Sequence, residues 1–444
     1  MRKLFVFLGL LIITAEYGAA QVCGCTDSLA TNYNADATVN DGSCLYDTTI
    51  ITATVIGELD TLLDDTSALL YWENSYWSYN DWFDRCLYQI DSTNASTLGT
   101  ICINGIINRN TEEMAQDSLY IYLGVFGNNH GNRHDLHVLR ITKESLLTQQ
   151  FEIDTIWYAY EDQTDFSHQT ENNDFDCEAF VVTDDSIYLF TKQWVSEKTT
   201  IYALPKTPGS HTAQRRETYD VRGLVTGCTY LPQYRLIVLC GYDYNGGDFL
   251  NALHPFIVLL YDFQGHNFFS GNKRRLDFEL LEKAQIEAIA TSNALDYYIT
   301  NEHFHRTYGG FLTFDIPAQL QRLDLREYLV PYLSQYMDSI PPPPDTPSQP
   351  DTIPSPDGIH DPQNSDDSFR IYPNPARDRL YIDYPQEFQG AEYALFNLQG
   401  QKVARGILKG NSILLNSNYL PSGRYILAVR KNGKTKTFSF IKNE

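Results

Sequence analysis

The chain has 444 residues and a formal net charge of −23, with 56 acidic against 33 basic side chains. Residues 369–444 carry a net charge of +7, so the remainder carries −30. An acidic surface repels phosphate groups, which argues against nucleic acid or anionic lipid as a partner. The opposite sign of the C-terminal part indicates a separate domain that is recognised on its own.

The N-terminus has the features of a secretory signal peptide, predicted for residues 1–20. A positive start at Met1-Arg2-Lys3 precedes an apolar run, Leu4 to Ile13, that is too short to cross a bilayer. The small residues Gly18-Ala19-Ala20 offer a cleavage site before Gln21. No later apolar run approaches the length of a transmembrane segment. We therefore expect a chain that passes through the periplasm and is secreted or held at the outer cell surface.

Residues 21–47 form a short unit, predicted to be too small to build its own core. Gly24-Cys25-Thr26-Asp27 opens it and Asp41-Gly42-Ser43-Cys44 closes it. This pattern resembles a small repeat of type IX secretion cargo, in which a bridge between Cys25 and Cys44 would staple the loop. Hard oxygen ligands from four residues could surround a calcium ion, namely Asp27, Asn34, Asp36 and Asp41. Ordinary Asx turns are the alternative interpretation.

Residues 50–320 contain short strand patterns rich in Tyr, Phe, Ile and Leu, which recur in five similar units. The inner strands of these units begin near Ser67, Glu113, Glu178, Gly223 and Glu287. The fifth unit, with Phe311–Asp315 as its third strand, lacks a fourth. The unused segment Thr52–Gly57 would supply it and close a ring without a free sheet edge. We predict an all-β fold, a β-propeller with five blades favoured and six possible; stacked sandwich sheets are the alternative.

The region after the propeller is predicted to be a short helix, residues 321–336, and then a linker, residues 337–368. The linker is rich in Pro and Asp and has no Lys or Arg, which is typical of an extended, solvated tether.

All eight Cys residues precede residue 241, and an even number in an exported chain favours disulfides. Because Cys228 and Cys240 flank a predicted hairpin turn, we expect a bridge between them.

One mouth of the propeller is predicted to be acidic, because inner strands begin and second strands end on the same face of a propeller. Glu113, Glu178 and Glu287 stand at the starts of inner strands. The ends of second strands bring five more residues to this face: Asp81, Asn129, Lys192, Asp243 and Glu302. Gathered carboxylates bind a hard cation or raise one another's pKa, as a general acid or base requires. The alternative is that the three Glu residues cap inner strands by accepting backbone N–H bonds.

Three other features invite a functional interpretation. The Gly-punctuated loop 127–135 carries Arg133, which could clamp a carboxylate or a phosphate; a simple turn is the alternative. His303 and His305 share one strand face, but no third His or Cys stands at ligand spacing, so an exposed pair is favoured over a metal site. Trp82 and its aromatic neighbours favour packing over a platform for sugars.

Residues 369–444 contain short strands separated by Gly- and Pro-containing turns, which predict a small immunoglobulin-like β-sandwich. The motifs occur in this order: Tyr372-Pro373-Asn374-Pro375, Phe396-Asn397-Leu398-Gln399-Gly400 and Leu420-Pro421-Ser422-Gly423-Arg424-Tyr425. They resemble the type A C-terminal sorting domain of type IX secretion cargo. The resemblance implies that residues 369–444 engage the type IX secretion machinery, with Tyr372, Pro373, Asn374 and Pro375 as the sorting motif.

The propeller region resembles a group of secreted propellers loosely related to esterase-like phytases. The resemblance rests on Phe126-Gly127-Asn128-Asn129, Cys177-Glu178-Ala179-Phe180 and Phe190-Thr191-Lys192. Asn110-Thr111-Glu112-Glu113 replaces an Asp-Trp-Glu-Asp motif of that group, and Val125 replaces an Asp, so carboxylates are missing. We therefore predict a binding or interaction module for an unknown extracellular ligand, with calcium as the one cofactor considered. The alternative is a calcium-dependent, phosphoesterase-like hydrolase; four or more carboxylates around one cation site would favour it.

Overall fold

The computed structural model describes the propeller region over residues 21–243, 253–278, 284–308 and 312–338. In the C-terminal region it describes residues 369–372, 376–377, 379–385, 388–397, 402–409, 412–416, 420–431 and 434–443. The predicted signal peptide and residues 339–368 of the predicted linker lie outside these ranges. The chain divides into two compact units, 1–341 and 342–444. Among the described residues, no helix has both the length and the apolar character that crossing a membrane requires.

The small N-terminal unit contains two short parallel strands, β1 (Cys23–Gly24) and β2 (Val39–Asn40). The predicted bridge between Cys25 and Cys44 is confirmed, with 4.8 Å between the two Cα atoms. Two further strands follow, β3 (Ile50–Ile51) and β4 (Thr54–Glu58), which join sheets formed by residues much later in the chain.

The following region begins with three groups of four consecutive antiparallel strands; the last strands of the second and third groups also pair with each other in parallel, so these two groups form one eight-stranded sheet. The first has β5 (Thr66–Trp72), β6 (Ser75–Asn80), β7 (Cys86–Ile90) and β8 (Thr97–Cys102). The second has β9 (Glu113–Gln116), β10 (Tyr120–Val125), β11 (His137–Thr142) and β12 (Ile153–Tyr160), with helix α1 (Lys143–Thr148) before β12. The third has β13 (Asp176–Val182), β14 (Ser186–Lys192), β15 (Thr199–Pro205) and β16 (Gly209–Tyr219).

The last two sheets are completed by the strands near the N-terminus. The fourth has β17 (Leu224–Leu231), β18 (Leu236–Asp243), β19 (His254–Tyr261) and β20 (Asn272–Phe278), with β3 parallel to β20. The fifth has β21 (Ile286–Thr291) and β22 (Asp296–Asn301), then a separate hairpin of β23 (Phe304–Tyr308) and β24 (Leu312–Ile316), then β25 (Gln319–Asp324). Strand β4 pairs with β25 as its fourth strand.

These five groups of strands are the blades of a closed ring. The first strand of each blade packs beside that of the next, in the order β5, β9, β13, β17 and β21, and β21 returns to β5. The hydrophobic core lies between neighbouring blades; for example, Ile257 of blade four packs with Ile289 and Ile299 of blade five. The predicted propeller is therefore confirmed with five blades, and β4 (Thr54–Glu58), which overlaps the predicted segment Thr52–Gly57, closes it.

The end of the propeller region differs from the prediction in one respect. The third strand of blade five is Gln319–Asp324, not Phe311–Asp315, because Leu312–Asp315 belongs to the inserted hairpin β23–β24; Phe311 lies outside the described residues. Helix α2 consequently spans Arg326–Asp338 and not residues 321–336. Both segments have alternating apolar residues, so either could have been taken for the third strand.

The predicted bridge between Cys228 and Cys240 is wrong, since both thiols are free and buried. Cys228 pairs with Leu239 across the two strands, so Cys240, the next residue, points to the opposite face of the blade. The two thiols accordingly lie in different core clusters. A second disulfide joins Cys86 and Cys102, which are direct cross-strand partners 4.0 Å apart at their Cα atoms.

The C-terminal unit is a sandwich of two antiparallel sheets. One contains β26 (Arg370–Tyr372), β27 (Arg379–Asp383) and β30 (Ser412–Asn416). The other contains β28 (Glu392–Asn397), β29 (Lys402–Ile407), β31 (Gly423–Lys431) and β32 (Lys434–Lys442). Leu380, Leu395, Leu427, Val429 and Phe440 form part of the core between the sheets. Tyr372 ends β26, whereas Pro373, Asn374 and Pro375 lie outside the described residues.

Candidate functional site: an acidic chamber at one face of the propeller

A recurring irregularity of the inner strands frees one residue per blade from the regular strand pairing. In blades one, three, four and five, the register of the first strand skips one residue. The skipped residues are Ser67, Glu178, Thr226 and Glu287. Glu112 takes the equivalent place in blade two, where its backbone N–H donates to the carbonyl of Gly124 just before β9 begins. A bulge frees a residue from the strand ladder and redirects its side chain, which explains why these residues meet.

Four of these five positions line a cavity of about 210 Å³, which we call the acidic chamber. Six carboxyl side chains contribute to its wall: Asp81, Glu112, Glu171, Glu178, Glu287 and Glu302. The wall also contains one ammonium group, on Lys192, and the aromatic side chains of Trp194, Tyr242 and Phe304. Acidic groups therefore outnumber the basic group by six to one among the described lining residues.

The one basic group of the described wall is already paired. Lys192 Nζ donates to both carboxylate oxygens of Glu178, each at 2.7 Å, and both side chains are at most 5% exposed. The same ammonium lies 4.7 Å from the ring centre of Trp194 and 5.2 Å from that of Tyr242. Burial alone would lower the pKa of Lys192, but Glu178 and further acidic neighbours raise it well above its usual range. Lys192 is therefore a fixed positive charge on one side of the chamber.

Four other carboxyl groups of the wall resist ionisation, mainly because they are buried. Burial, followed by repulsion from Asp65, raises the pKa of Asp81 to about 7. Burial, followed by repulsion from Asp81, raises the pKa of Glu302 to about 7. Burial also raises the pKa values of Glu112 and Glu287 well above the ordinary value. The chamber therefore holds protons near neutral pH, or a cation in their place.

Several oxygen atoms of the chamber have no hydrogen-bond partner among the described residues. They are Oδ1 of Asp81, Oδ1 of Asn129 and Oε1 of Glu287, all buried. By contrast, Glu302 accepts a hydrogen bond from Gln285 Nε2. A buried polar atom without a partner costs on the order of 1–3 kcal/mol. These atoms are therefore candidates to contact a bound cation or water.

The structure brings together six of the residues predicted to surround the mouth. Glu178, Glu287, Asp81, Asn129, Lys192 and Glu302 all line the chamber. Asp243 does not: its carboxylate pairs with Arg275 at 2.8 Å. The preceding residue, Tyr242, lines the chamber instead, because successive side chains of a strand point to opposite faces.

Glu113 also lies outside the chamber, although the sequence suggested the opposite. Its side chain is completely buried, and its two oxygens accept the backbone N–H groups of Met114 at 2.8 Å and Cys228 at 2.9 Å. The equivalent residue of every other blade is small: Ala68, Ala179, Gly227 and Ala288. A Cβ atom at Gly227 would approach the carbonyl oxygen of Glu287 to 2.5 Å, so the inner strands are close there. Glu113 thus links blades two and four, as the capping alternative anticipated.

Two carboxyl groups of the chamber, Glu112 and Glu171, were not predicted from the sequence, and a signal was available for Glu112. The pattern Glu-Ala occurs at Glu178-Ala179 and at Glu287-Ala288. Aligning Glu112-Glu113 on these pairs would have placed Glu113 at the Ala position and Glu112 at the acidic one. Because Glu112 and Glu113 are both acidic, either could be aligned with the Glu of these pairs, and the one-residue shift of register was not apparent.

Arg133 has a structural role in the described geometry. Its guanidinium donates to Asp135 Oδ1 at 2.9 Å and to the carbonyls of Gly127 and Arg109 at 2.8 and 3.1 Å. These contacts hold the loop that follows β10, which carries Asn129 to the chamber. Arg133 itself is not among the lining residues, so it supplies no positive charge there.

The four oxygen-bearing residues considered for calcium in the N-terminal unit take part mainly in turns. Asp27 Oδ1, Asn34 Oδ1 and Asp41 Oδ1 accept the backbone N–H two residues ahead, in Leu29, Asp36 and Ser43, at 2.9–3.0 Å. Asp27 Oδ2 accepts hydrogen bonds from the hydroxyls of Tyr46 and Tyr261. The geometry is that of the Asx-turn alternative, and Asp27 fastens the unit to blade four.

The aromatic residues of blade one divide into two groups. Trp72, Tyr76, Trp77 and Tyr79 are buried in the core. Trp82 is 49% exposed and stacks edge-on against the exposed ring of Phe83. The prediction that these aromatic side chains pack in the core therefore holds for most of the cluster but not for Trp82.

The two units define an all-β protein in which a five-bladed propeller with an acidic chamber is followed by a β-sandwich. Residues 370–443 match the family model described as the secretion system C-terminal sorting domain. The predicted type IX sorting domain is thereby confirmed, and it implies export to the cell surface or secretion. No curated protein matches the sequence of the chain.

Solved structures with a similar arrangement of strands are distant. PorZ of Porphyromonas gingivalis, a surface component of the type IX secretion system, is 12% identical, with 85% of this chain and 45% of that chain covered and a TM-score of 0.26. This chain therefore spans less than half of PorZ. Glutaminyl cyclase of Myxococcus xanthus is 10% identical over 63% of this chain and 99% of that chain, with a TM-score of 0.37. The WD40 repeats of RRP9 are 10% identical over 62% and 99%, with a TM-score of 0.30. Likenesses at this distance carry no inference about activity.

Proposed function

We propose that the exported propeller is a binding module whose acidic chamber holds a cationic ligand, either a divalent metal ion such as calcium or an ammonium group. The observation that supports this proposal best is the buried, unpartnered Oε1 of Glu287 in a cavity with six carboxyl groups and one ammonium. Residues 369–444 would bring the module to its place of action by engaging the type IX secretion machinery.

The electrostatic balance favours a cation over any other class of ligand. If all lining groups were ionised, the six carboxylates and Lys192 would leave the chamber five charges negative. Such a cluster relieves its repulsion by binding protons or a cation. Carboxylate and amide oxygens are the ligands that calcium prefers, and Asp81, Asn129 and Glu287 each have one that is buried and unpartnered.

An organic ammonium group is the second form the ligand could take. Trp194 and Tyr242 already flank the ammonium of Lys192 at distances where a cation is attracted to an aromatic ring. A cavity of about 210 Å³ has room for the end of an amine side chain or for an ion with part of its hydration shell. The same acidic wall would bind both, so direct competition between the two is expected.

A hydrolase is the alternative that the geometry also supports in one respect. Asp81 and Glu302 both have a pKa of about 7, which suits groups that exchange protons near neutral pH. A phosphoester substrate is less compatible, because Lys192 is committed to Glu178 and Arg133 lies outside the chamber. A calcium ion bridging the chamber and the substrate would be needed to offset the repulsion between like charges.

The proposal is tested by ligand-dependent stability of the purified full-length protein. All five Trp residues precede residue 195, so tryptophan fluorescence follows the propeller and not the sorting domain. With a dissociation constant of about 0.1 mM, a concentration of roughly 10 mM calcium would stabilise the fold by about 2.7 kcal/mol. Methylammonium at the same concentration forms the second arm of the experiment.

Glu287→Gln and Asp81→Asn should abolish the stabilisation by the ligand, whereas the exposed Glu152→Gln serves as the matched control. If neither calcium nor methylammonium stabilises the wild-type protein, the proposed ligand class is wrong. Turnover of phosphoester or glycoside substrates that is lost in Glu302→Gln while ligand binding persists would favour the hydrolase.

A further inference from the structure

A second cluster of ligating side chains lies on the hairpin inserted into blade five. The register of the hairpin pairs His305 with Asp315 directly across the two strands. Side chains of such a pair stand on the same face, with their Cβ atoms about 5 Å apart. His303 precedes His305 by two residues, and in the structure its imidazole meets the same carboxylate. The three side chains thus converge although Asp315 is ten residues further along the chain.

The ligand atoms of these three residues are close enough to share one ion. His303 Nε2 is 2.6 Å from Asp315 Oδ1, and His305 Nδ1 is 3.3 Å from the same oxygen. One ligand atom from each residue lies within 4.8 Å of the other two. Bonds of about 2.1 Å in a tetrahedral zinc site separate ligand atoms by roughly 3.4 Å. Small rotations of these exposed side chains would therefore bring them to bonding distance.

A carboxylate also lies near the other side of the His303 ring. Its Nδ1 lies 3.8 Å from Asp64 Oδ2, and its backbone N–H donates to the Asp64 carbonyl at 2.8 Å. A carboxylate behind a metal-binding imidazole orients the ring and strengthens it as a ligand. Asp64 is thus placed to act as a positioning residue from the start of blade one.

We propose that His303, His305 and Asp315 form a surface site for a transition-metal ion of the zinc class. Two imidazoles and a carboxylate select zinc, nickel or copper, whereas calcium and magnesium prefer oxygen ligands alone. All three residues are exposed, so a fourth position stays open to water or to a ligand from another molecule. The site is distinct from the acidic chamber, because none of its three residues lines that cavity, although the neighbouring Glu302 and Phe304 do.

The test is zinc titration of the full-length protein, prepared without a histidine tag and freed of metal, by calorimetry. We expect one equivalent of zinc to bind and the double variant His303→Gln/His305→Gln to lose that equivalent. Cobalt as a spectroscopic substitute should give visible absorption bands in the wild-type protein that the double variant lacks. Asp64→Asn should weaken zinc binding about 10- to 100-fold without changing the stoichiometry.

Two control variants distinguish zinc bound at this site from zinc bound elsewhere on the protein. The exposed His266→Gln should bind zinc as the wild-type protein does, and so should the chamber variant Glu287→Gln. An unchanged thermal midpoint of the double variant without metal shows that the fold persists. If the double variant binds zinc with the wild-type affinity, or if the wild-type protein binds none, the proposed site does not exist.

Discussion

Replacing Glu302 with Gln should make the stability of the propeller less dependent on pH. The folded chamber raises the pKa of Glu302 to about 7 from an ordinary 4.5, so the folded protein holds this proton more tightly than the unfolded chain. The stabilisation of the folded state by this proton is therefore fully present below about pH 4.5. It is lost as the pH rises through about 7. The amide of Gln carries no such proton and still accepts the hydrogen bond from Gln285.

The expected magnitude follows from linkage. Because the pKa of Glu302 is about 7 in the folded protein and 4.5 in the unfolded chain, its contribution to the free energy of unfolding falls by about 2–3 kcal/mol between pH 5 and pH 8. The wild-type protein should lose stability over this range, and Glu302→Gln should lose about 2–3 kcal/mol less. The other chamber carboxyl groups with raised pKa values should leave the variant with part of the pH dependence of its free energy of unfolding. Urea unfolding at each pH, followed by tryptophan fluorescence in the presence of a chelator, measures the difference.

A chelator is essential because a bound cation would replace the proton and mask the effect. The control is the exposed Glu152→Gln, for which the pH slope should equal that of the wild-type protein. If Glu302→Gln and the wild-type protein have the same slope, Glu302 is ionised in the folded chamber at pH 7, and the electrostatic account of this cavity is wrong.

Four other experiments test the remaining structural conclusions. Glu113→Ala leaves two buried N–H groups without acceptors and should lower the free energy of unfolding by about 2–5 kcal/mol, measured in urea. Thiol titration of the denatured, unreduced protein should find four thiols, whereas a bridge between Cys228 and Cys240 would leave two. Deletion of residues 50–58 should expose an open sheet edge and cause aggregation, detected by light scattering; a monomer of unchanged stability would contradict closure by this segment. Truncation after Asp367 should leave the protein in the periplasm, and its appearance outside the cell at normal levels would refute sorting by the C-terminal domain.

The architecture was predictable because each blade repeats one pattern of strands and because the fifth unit lacked one. Alternation of apolar side chains identified the inner strands, and the unused Thr52–Gly57 identified the closing segment. The sequence pattern was not sufficient in blade five, where an additional hairpin is inserted between the second and third strands. The residues of β24 alternate as well as those of β25, and only pairing with β22 distinguishes the true third strand.

Residue-level errors in the site came from register, which sequence alone specifies poorly. One residue of slippage turns a side chain to the other face, as at Glu112 against Glu113 and at Tyr242 against Asp243. The same alternation of faces explains why the predicted bridge between Cys228 and Cys240 is wrong. Ligands that approach from a partner strand, such as Asp315 opposite His305, give no spacing signal along the chain.

The pairing of β4 with β25 has a consequence for how the propeller is assembled during export. Thr54–Glu58 is synthesised and translocated early, yet its partner Gln319–Asp324 follows roughly 260 residues later. Blade five therefore stays incomplete until nearly the whole propeller region has been synthesised. Until then the early strand has an unpaired edge, which is open to incorrect pairing. For a chain exported by the predicted signal peptide, we expect the ring to close in the periplasm, before the sorting domain directs a finished propeller outward.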